Sequence, residues 1–99
     1  MTCYIVALIN IHDREQYALY EAGFMEVFQK YQGTMLSVDE APELVEGEWS
    51  WTRSVLISFP SKADAKAWYQ SSEYQSIAQH RFAGSRSNIV FLNGMSVTT

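Results

Sequence analysis

The chain has 99 residues and a net charge of −4, with 47% hydrophobic and 14% aromatic residues. That length fits one domain, and the acidic balance argues against nucleic acid or an anionic membrane as a partner, since both need clustered Lys and Arg. No apolar run approaches the roughly 20 residues of a membrane span, no secretory signal is expected at the N-terminus, and Cys3 has no second cysteine to pair with, so a cytoplasmic protein is the expectation.

The segment from Cys3 to Ile11 is apolar at both alternating sets of positions, Tyr4/Val6/Leu8 and Ile5/Ala7/Ile9. That is the pattern of a strand covered on both faces. Asp13 followed by Gln16 has the spacing of a capping box, and it opens a helix expected from about Arg14 to Tyr31. Tyr17, Tyr20, Phe24, Val27, Phe28 and Tyr31 form one apolar stripe along it. Gly33 is the expected stop, and Gly23 inside the helix points to a close approach by a neighbour.

A short strand follows at Thr34 to Val38, then an acidic loop from Asp39 to Gly47 with a brief strand at Leu44–Val45. A third strand is expected at Thr52 to Phe59, ended by Pro60, which cannot donate a ladder hydrogen bond. Ser61 with Asp64 caps a short helix carrying Ala65, Trp68 and Tyr69. Ser72 with Gln75 caps a second segment that places Tyr74, Ile77, Ala78 and Arg81 on one face. A loop over 83–87 and a last strand at Asn88 to Leu92 complete the chain.

The order is β-α-β-β-α-β, an α+β, ferredoxin-like plan with an antiparallel sheet and two helices on one face. Residues 1–94 are expected to form this domain, and 95–99 a frayed tail. Two helices cover one face only, yet the first and last strands are apolar on both. A monomer would expose a larger apolar patch than soluble proteins usually carry, so sheet-on-sheet packing in a homodimer is expected.

Several segments, taken together, resemble the domain-of-unknown-function family 1330 (DUF1330) of the dimeric α/β-barrel superfamily. They are Asp13 with Tyr17 and Tyr20, Tyr31-Gln32-Gly33, Glu46-Gly47-Glu48-Trp49, Arg53, Phe59-Pro60-Ser61, Ala67-Trp68-Tyr69, Ser72-Glu73-Tyr74-Gln75 and Arg81. The resemblance spans about Tyr4 to Gly94. It implies a subunit that pairs through its sheet and uses a cleft between sheet and helices. Relatives in the superfamily include cofactor-free monooxygenases, isomerases and haem enzymes, and fold alone does not transfer any of those activities.

Arg53 is the first candidate for chemistry, because a guanidinium on that strand can hold a carboxylate or enolate oxygen in a two-bond fork. The alternative is a structural pair with Glu46 or Glu48. His12, at the strand–helix junction, is the candidate base, or else a solvated junction residue. Trp49 reads as a wall or lid on an apolar ligand, or as an interface anchor. Tyr17, Tyr20, Tyr69 and Tyr74 read as phenols facing a ligand, or as core residues with satisfied hydroxyls.

Arg81, beside His80, reads as an anion site or as a cation placed favourably at a helix C-terminus. Cys3 reads as a small core residue. No HxxxH, HExxH or CxxC spacing occurs, and no phosphate-cradling glycine loop, so no cofactor is expected. The third strand lacks the aromatic and basic pattern of an RNA-binding sheet. Three functions stay open. One is a cofactor-free enzyme, monooxygenase- or isomerase-like, acting on a small apolar molecule with a carbonyl or carboxylate. The second is a non-catalytic binding or sensing module for such a ligand, and the third a purely structural dimer.

Overall fold

Burial alternates along the first strand, and that alternation sets the architecture. In β1 (Cys3–Ile11), Cys3, Ile5, Ala7 and Ile9 are buried, while Tyr4, Val6, Leu8 and Asn10 are only half-buried. The computed structural model describes residues 1–95. Its other elements are α1 (Arg14–Phe28), β2 (Thr34–Asp39), β3 (Arg53–Phe59), α2 (Lys62–Tyr69), α3 (Ser72–Gly84) and β4 (Ser85–Asn93). The four strands form one antiparallel sheet in the order β2-β3-β1-β4, and the buried set of β1 faces the helices. The fold is ferredoxin-like, as the element order implies.

The core is strongly aromatic. Phe28, Phe59 and Trp68 meet in edge-on and tilted contacts 5.6–5.9 Å apart, and Trp68 lies against Tyr74 at 4.3 Å. Such pairs each add about 0.5–1.5 kcal/mol beyond the area they bury. They fasten the start of α3 and the end of α2 to β3. Gly23 does mark a close approach: a Cβ there would come within 2.9 Å of Ile77 Cγ2, where α1 crosses α3.

Five local expectations need correction. The helix α1 ends at Phe28 and tightens through short-range bonds from Lys30 N–H to Val27 O and from Tyr31 N–H to Phe28 O. Gly33 is not a left-handed stop; a Cβ on it would collide with the Phe28 and Phe59 rings. The cap of α3 is Ser71, whose hydroxyl accepts the Tyr74 N–H at 3.0 Å, while Gln75 bonds instead to Tyr69 O. The loop expected over 83–87 does not exist. Gly84 O accepts from both His12 N–H and Asp13 N–H, and β4 starts at once, with Ser85 paired to Ile11. Leu44–Val45 is not a strand. The expected tail lies, beyond Met95, outside the described residues.

On the sheet face away from the helices, Leu56, Val6 and Val90 form one cross-strand row, and Tyr4 and Leu92 lie side by side in another. Val90 and Leu92 are 49% and 47% exposed. A single chain therefore leaves this apolar face open.

Candidate functional site

Between the sheet and the helices lies a partly open cavity of about 190 Å³, room for several waters or a small organic molecule. Its floor runs along β1 from Ile5 to Ile9, about 13 Å, continued by Val55 and Ile57 of β3 and Ile89 of β4. Its walls are aromatic: Tyr17, Tyr20 and Phe24 from α1, Trp68 and Tyr69 from α2, and Tyr74 from α3. Glu21, Arg53 and Arg81 are the charged residues in the lining.

Register places the two arginines. Ile9 pairs with Arg53 on one side and with Ser87 on the other. Ser87 Oγ accepts from Arg81 Nη1 at 2.6 Å. The Arg53 backbone and the anchor of Arg81 are therefore two strand spacings apart, about 10 Å, across the same row of the sheet. Gly84 holds this end together, since a Cβ there would come within 2.9 Å of Asp13 O and Tyr17 N. Tyr17 stands near both cations, with the Arg53 guanidinium 5.5 Å from its ring centre.

The environments of the two arginines differ. Arg53 is paired: Nη2 lies 3.4 Å from Glu21 Oε2, and Nη1 lies 3.3 Å from Glu40 Oε2, which Arg14 also holds at 3.1 Å. Only its Nε lacks a partner. Arg81 is 3% exposed and meets no carboxylate among the described residues. Its guanidinium packs over Phe82 at 4.8 Å and near Tyr20 at 5.9 Å. With Nη1 on Ser87 and the Tyr74 hydroxyl close by, Nε and Nη2 have no acceptor within hydrogen-bond distance. Those two N–H groups lie on the same side of the guanidinium, the side that grips a carboxylate with two parallel bonds.

The fourth buried polar atom without a partner is Trp68 Nε1. Among the described residues all four such atoms are donors, and all belong to residues lining this cavity. Buried donors without acceptors are costly, so the cavity suits a guest that brings acceptors.

Tyr20 and Tyr74 join their hydroxyls at 2.8 Å. Burial pushes the Tyr20 phenol well above its ordinary range, with a further push from Tyr74. Burial also raises Tyr74, and the nearby Arg81 charge opposes that rise. Tyr17 is raised by burial against the pull of Arg53. All three phenols are protonated at neutral pH.

Six of the eight residues singled out in the sequence line this cavity: Arg53, Arg81, Tyr17, Tyr20, Tyr69 and Tyr74. His12 and Trp49 do not. His12 is exposed at the β1–α1 junction, and Trp49 lies in the loop before β3, 37% exposed. The partners of Arg53 are Glu21 and Glu40, where Glu46 or Glu48 had been expected. Sequence reasoning missed Glu21 and Trp68 as cavity residues. Glu21 stands one turn after Tyr17 on the same stripe, and that spacing was the available signal. No group of three or more His, Cys, Asp or Glu side chains that could hold a metal occurs among the described residues.

Fold and site together define a ferredoxin-like α+β protein with an aromatic, donor-lined cavity. The chain belongs to the family described as Domain of unknown function (DUF1330), which matches residues 2–95. No curated protein matches the sequence. Among solved structures it is similar to RPA0582, a protein of unknown function from Rhodopseudomonas palustris, with a TM-score of 0.81 and 17% identity over 97% of this chain and 84% of that one.

It is also similar to SnoaB, a cofactor-independent oxygenase from Streptomyces nogalater, with a TM-score of 0.66 and 12% identity over 97% of this chain and 95% of that one. A dimeric ferredoxin-like protein of unknown function from Jannaschia sp. CCS1 gives a TM-score of 0.67 and 13% identity, over 95% of this chain and 100% of that one. At these identities the likeness speaks to fold. Among the described residues no helix is long and apolar enough to cross a membrane.

Proposed function

We propose that this protein is a single-domain cytoplasmic homodimer that binds a small, mainly apolar carboxylic acid in the cavity between its sheet and helices. Arg81 grips the carboxylate through Nε and Nη2, and the aromatic walls enclose the body. One observation carries the reading: a buried guanidinium with two unpartnered donors on its carboxylate-binding side lines the cavity, and no carboxylate is paired with it among the described residues. An unpaired buried cation is expensive, and an anionic guest removes that cost. Pairing through the open sheet face covers the Val6, Leu56 and Val90 row, and the described dimeric state of the Jannaschia protein supports it.

Native mass spectrometry of freshly purified protein tests the reading. It should give a dimer that gains one small apolar acid per protomer, and Arg81→Met should abolish the adduct. A monomer would contradict the pairing, and an adduct retained by Arg81→Met would contradict the site.

Cofactor-free catalysis is a second reading, supported by the hydroxyl pair of Tyr20 and Tyr74 beside Arg81 and by the likeness to a cofactor-independent oxygenase. A cation next to a bound carbonyl favours its enolate form. Glu21 and Arg53 then contribute from the far side of the cavity, and His12 and Trp49 have no direct part. Incubating the bound molecule with protein in air decides between the readings: a changed product means catalysis, and return of the molecule unchanged means a binding module.

A further inference from the structure

The Arg53 backbone and Ser87, to which Arg81 is bonded, flank Ile9 about 10 Å apart, and both arginines line the one cavity, so a single guest can meet both. A guest with a carboxylate at each end would be the simple match if both cations were free, but they are not. Arg53 and Arg14 together face Glu21 and Glu40, so two cations meet two carboxylates and the Arg53 end is electrically neutral. What remains there is one buried N–H, Arg53 Nε. A single donor in a neutral setting suits one uncharged acceptor, such as a ketone or hydroxyl oxygen. A second carboxylate placed there would face Glu21 across the lining, and like charges brought together in a partly desolvated site repel strongly.

We propose that the cavity selects monoanions carrying a second, uncharged oxygen over dianions of the same shape, and that Glu21 is the residue that sets this choice. The inference deepens the carboxylate reading and depends on it. Glu21 acts through charge: it offsets Arg53, and its half-exposed side chain forms part of the cavity lining. Removing that charge leaves the Arg14, Arg53 and Glu40 group with one net positive charge, able to accept a second carboxylate.

The test compares two nearly isosteric probes, para-acetylbenzoate and terephthalate, by calorimetric titration of the wild type, Glu21→Gln and Glu26→Gln. Glu26 is exposed on the same helix, as Glu21 is, but lies outside the cavity lining. The readout is the ratio of the two affinities within each protein, so a general loss of binding cancels.

The wild type and Glu26→Gln should favour para-acetylbenzoate by about tenfold or more, and Glu21→Gln should shift the ratio toward terephthalate by about tenfold. A wild type that binds terephthalate as well as its partner, or a ratio unmoved by Glu21→Gln, overturns the inference and leaves the carboxylate reading standing. If neither acid binds the wild type, the carboxylate reading falls and this inference with it.

Discussion

At the scale of single residues, stability and binding pull against each other at Arg81. Its guanidinium is buried, bonded to Ser87 through one nitrogen, and unpartnered on the other two. A neutral side chain of similar length relieves that burial cost. Arg81→Met should therefore melt no lower than the wild type in the absence of ligand, while losing carboxylate binding by about a hundredfold. A thermal melt and a titration of the same sample check both halves. A marked drop in melting temperature would mean that the charge serves the fold.

Tyr20 and Tyr74 give a pH signature. Burial raises both phenols above their ordinary range of about 10. An acid whose pKa is raised by folding adds stability below its unfolded pKa, and that stability is lost as pH rises through the folded value. Melting temperature should stay level up to about pH 10 and fall above it, and Tyr20→Phe, which removes the shared hydrogen bond, should cost about 1 kcal/mol at neutral pH.

The tyrosines and Arg81 could be read from the sequence because each lies on the apolar stripe of a helix. The partners of Arg53 could not. Glu21 comes from α1 and Glu40 directly follows β2, and only the tertiary fold brings them to β3.

Among the elements, the crossing of α1 and α3 carries the tightest constraint. Gly23→Ala should stabilise an isolated helix by about 1 kcal/mol, yet the added methyl meets Ile77 Cγ2. The expected result is a net loss of about 1–2 kcal/mol, largely recovered when Ile77→Ala accompanies it. Denaturant unfolding of the single and double variants measures that coupling.

At the start of α3, Ser71→Ala should cost about 1 kcal/mol and Ser72→Ala much less, because Ser71 holds the Tyr74 N–H. The capping-box spacing of Ser72 and Gln75 points to Ser72, yet Ser71 takes the cap. Which one caps depends on where the chain leaves α2, and that is set by Trp68 packing against Tyr74 and Phe59. The α3–β4 junction was misread for a similar reason: its carbonyl finds partners in His12 and Asp13, far away in sequence.

For the whole molecule, element order and the two-sided apolar strands made the fold and its open face legible in the sequence, since both follow from periodicity. The cavity was harder to anticipate, because a gap between packed elements leaves no mark in residue pattern. If the open face pairs two copies, a charge in its central row should separate them. Val90→Glu, at a position half-exposed in the single chain, should elute and weigh as a monomer in size-exclusion chromatography with light scattering, and the wild type as a dimer.

The account turns on a carboxylate held by Arg81, and the most direct measurement is a calorimetric comparison of para-acetylbenzoate with the neutral para-acetylbenzamide on the wild type and on Arg81→Met. The acid should bind the wild type about a hundredfold more tightly than the amide, and the two should bind Arg81→Met equally weakly. Equal binding of acid and amide to the wild type, or a preference for the acid that survives in Arg81→Met, would contradict it.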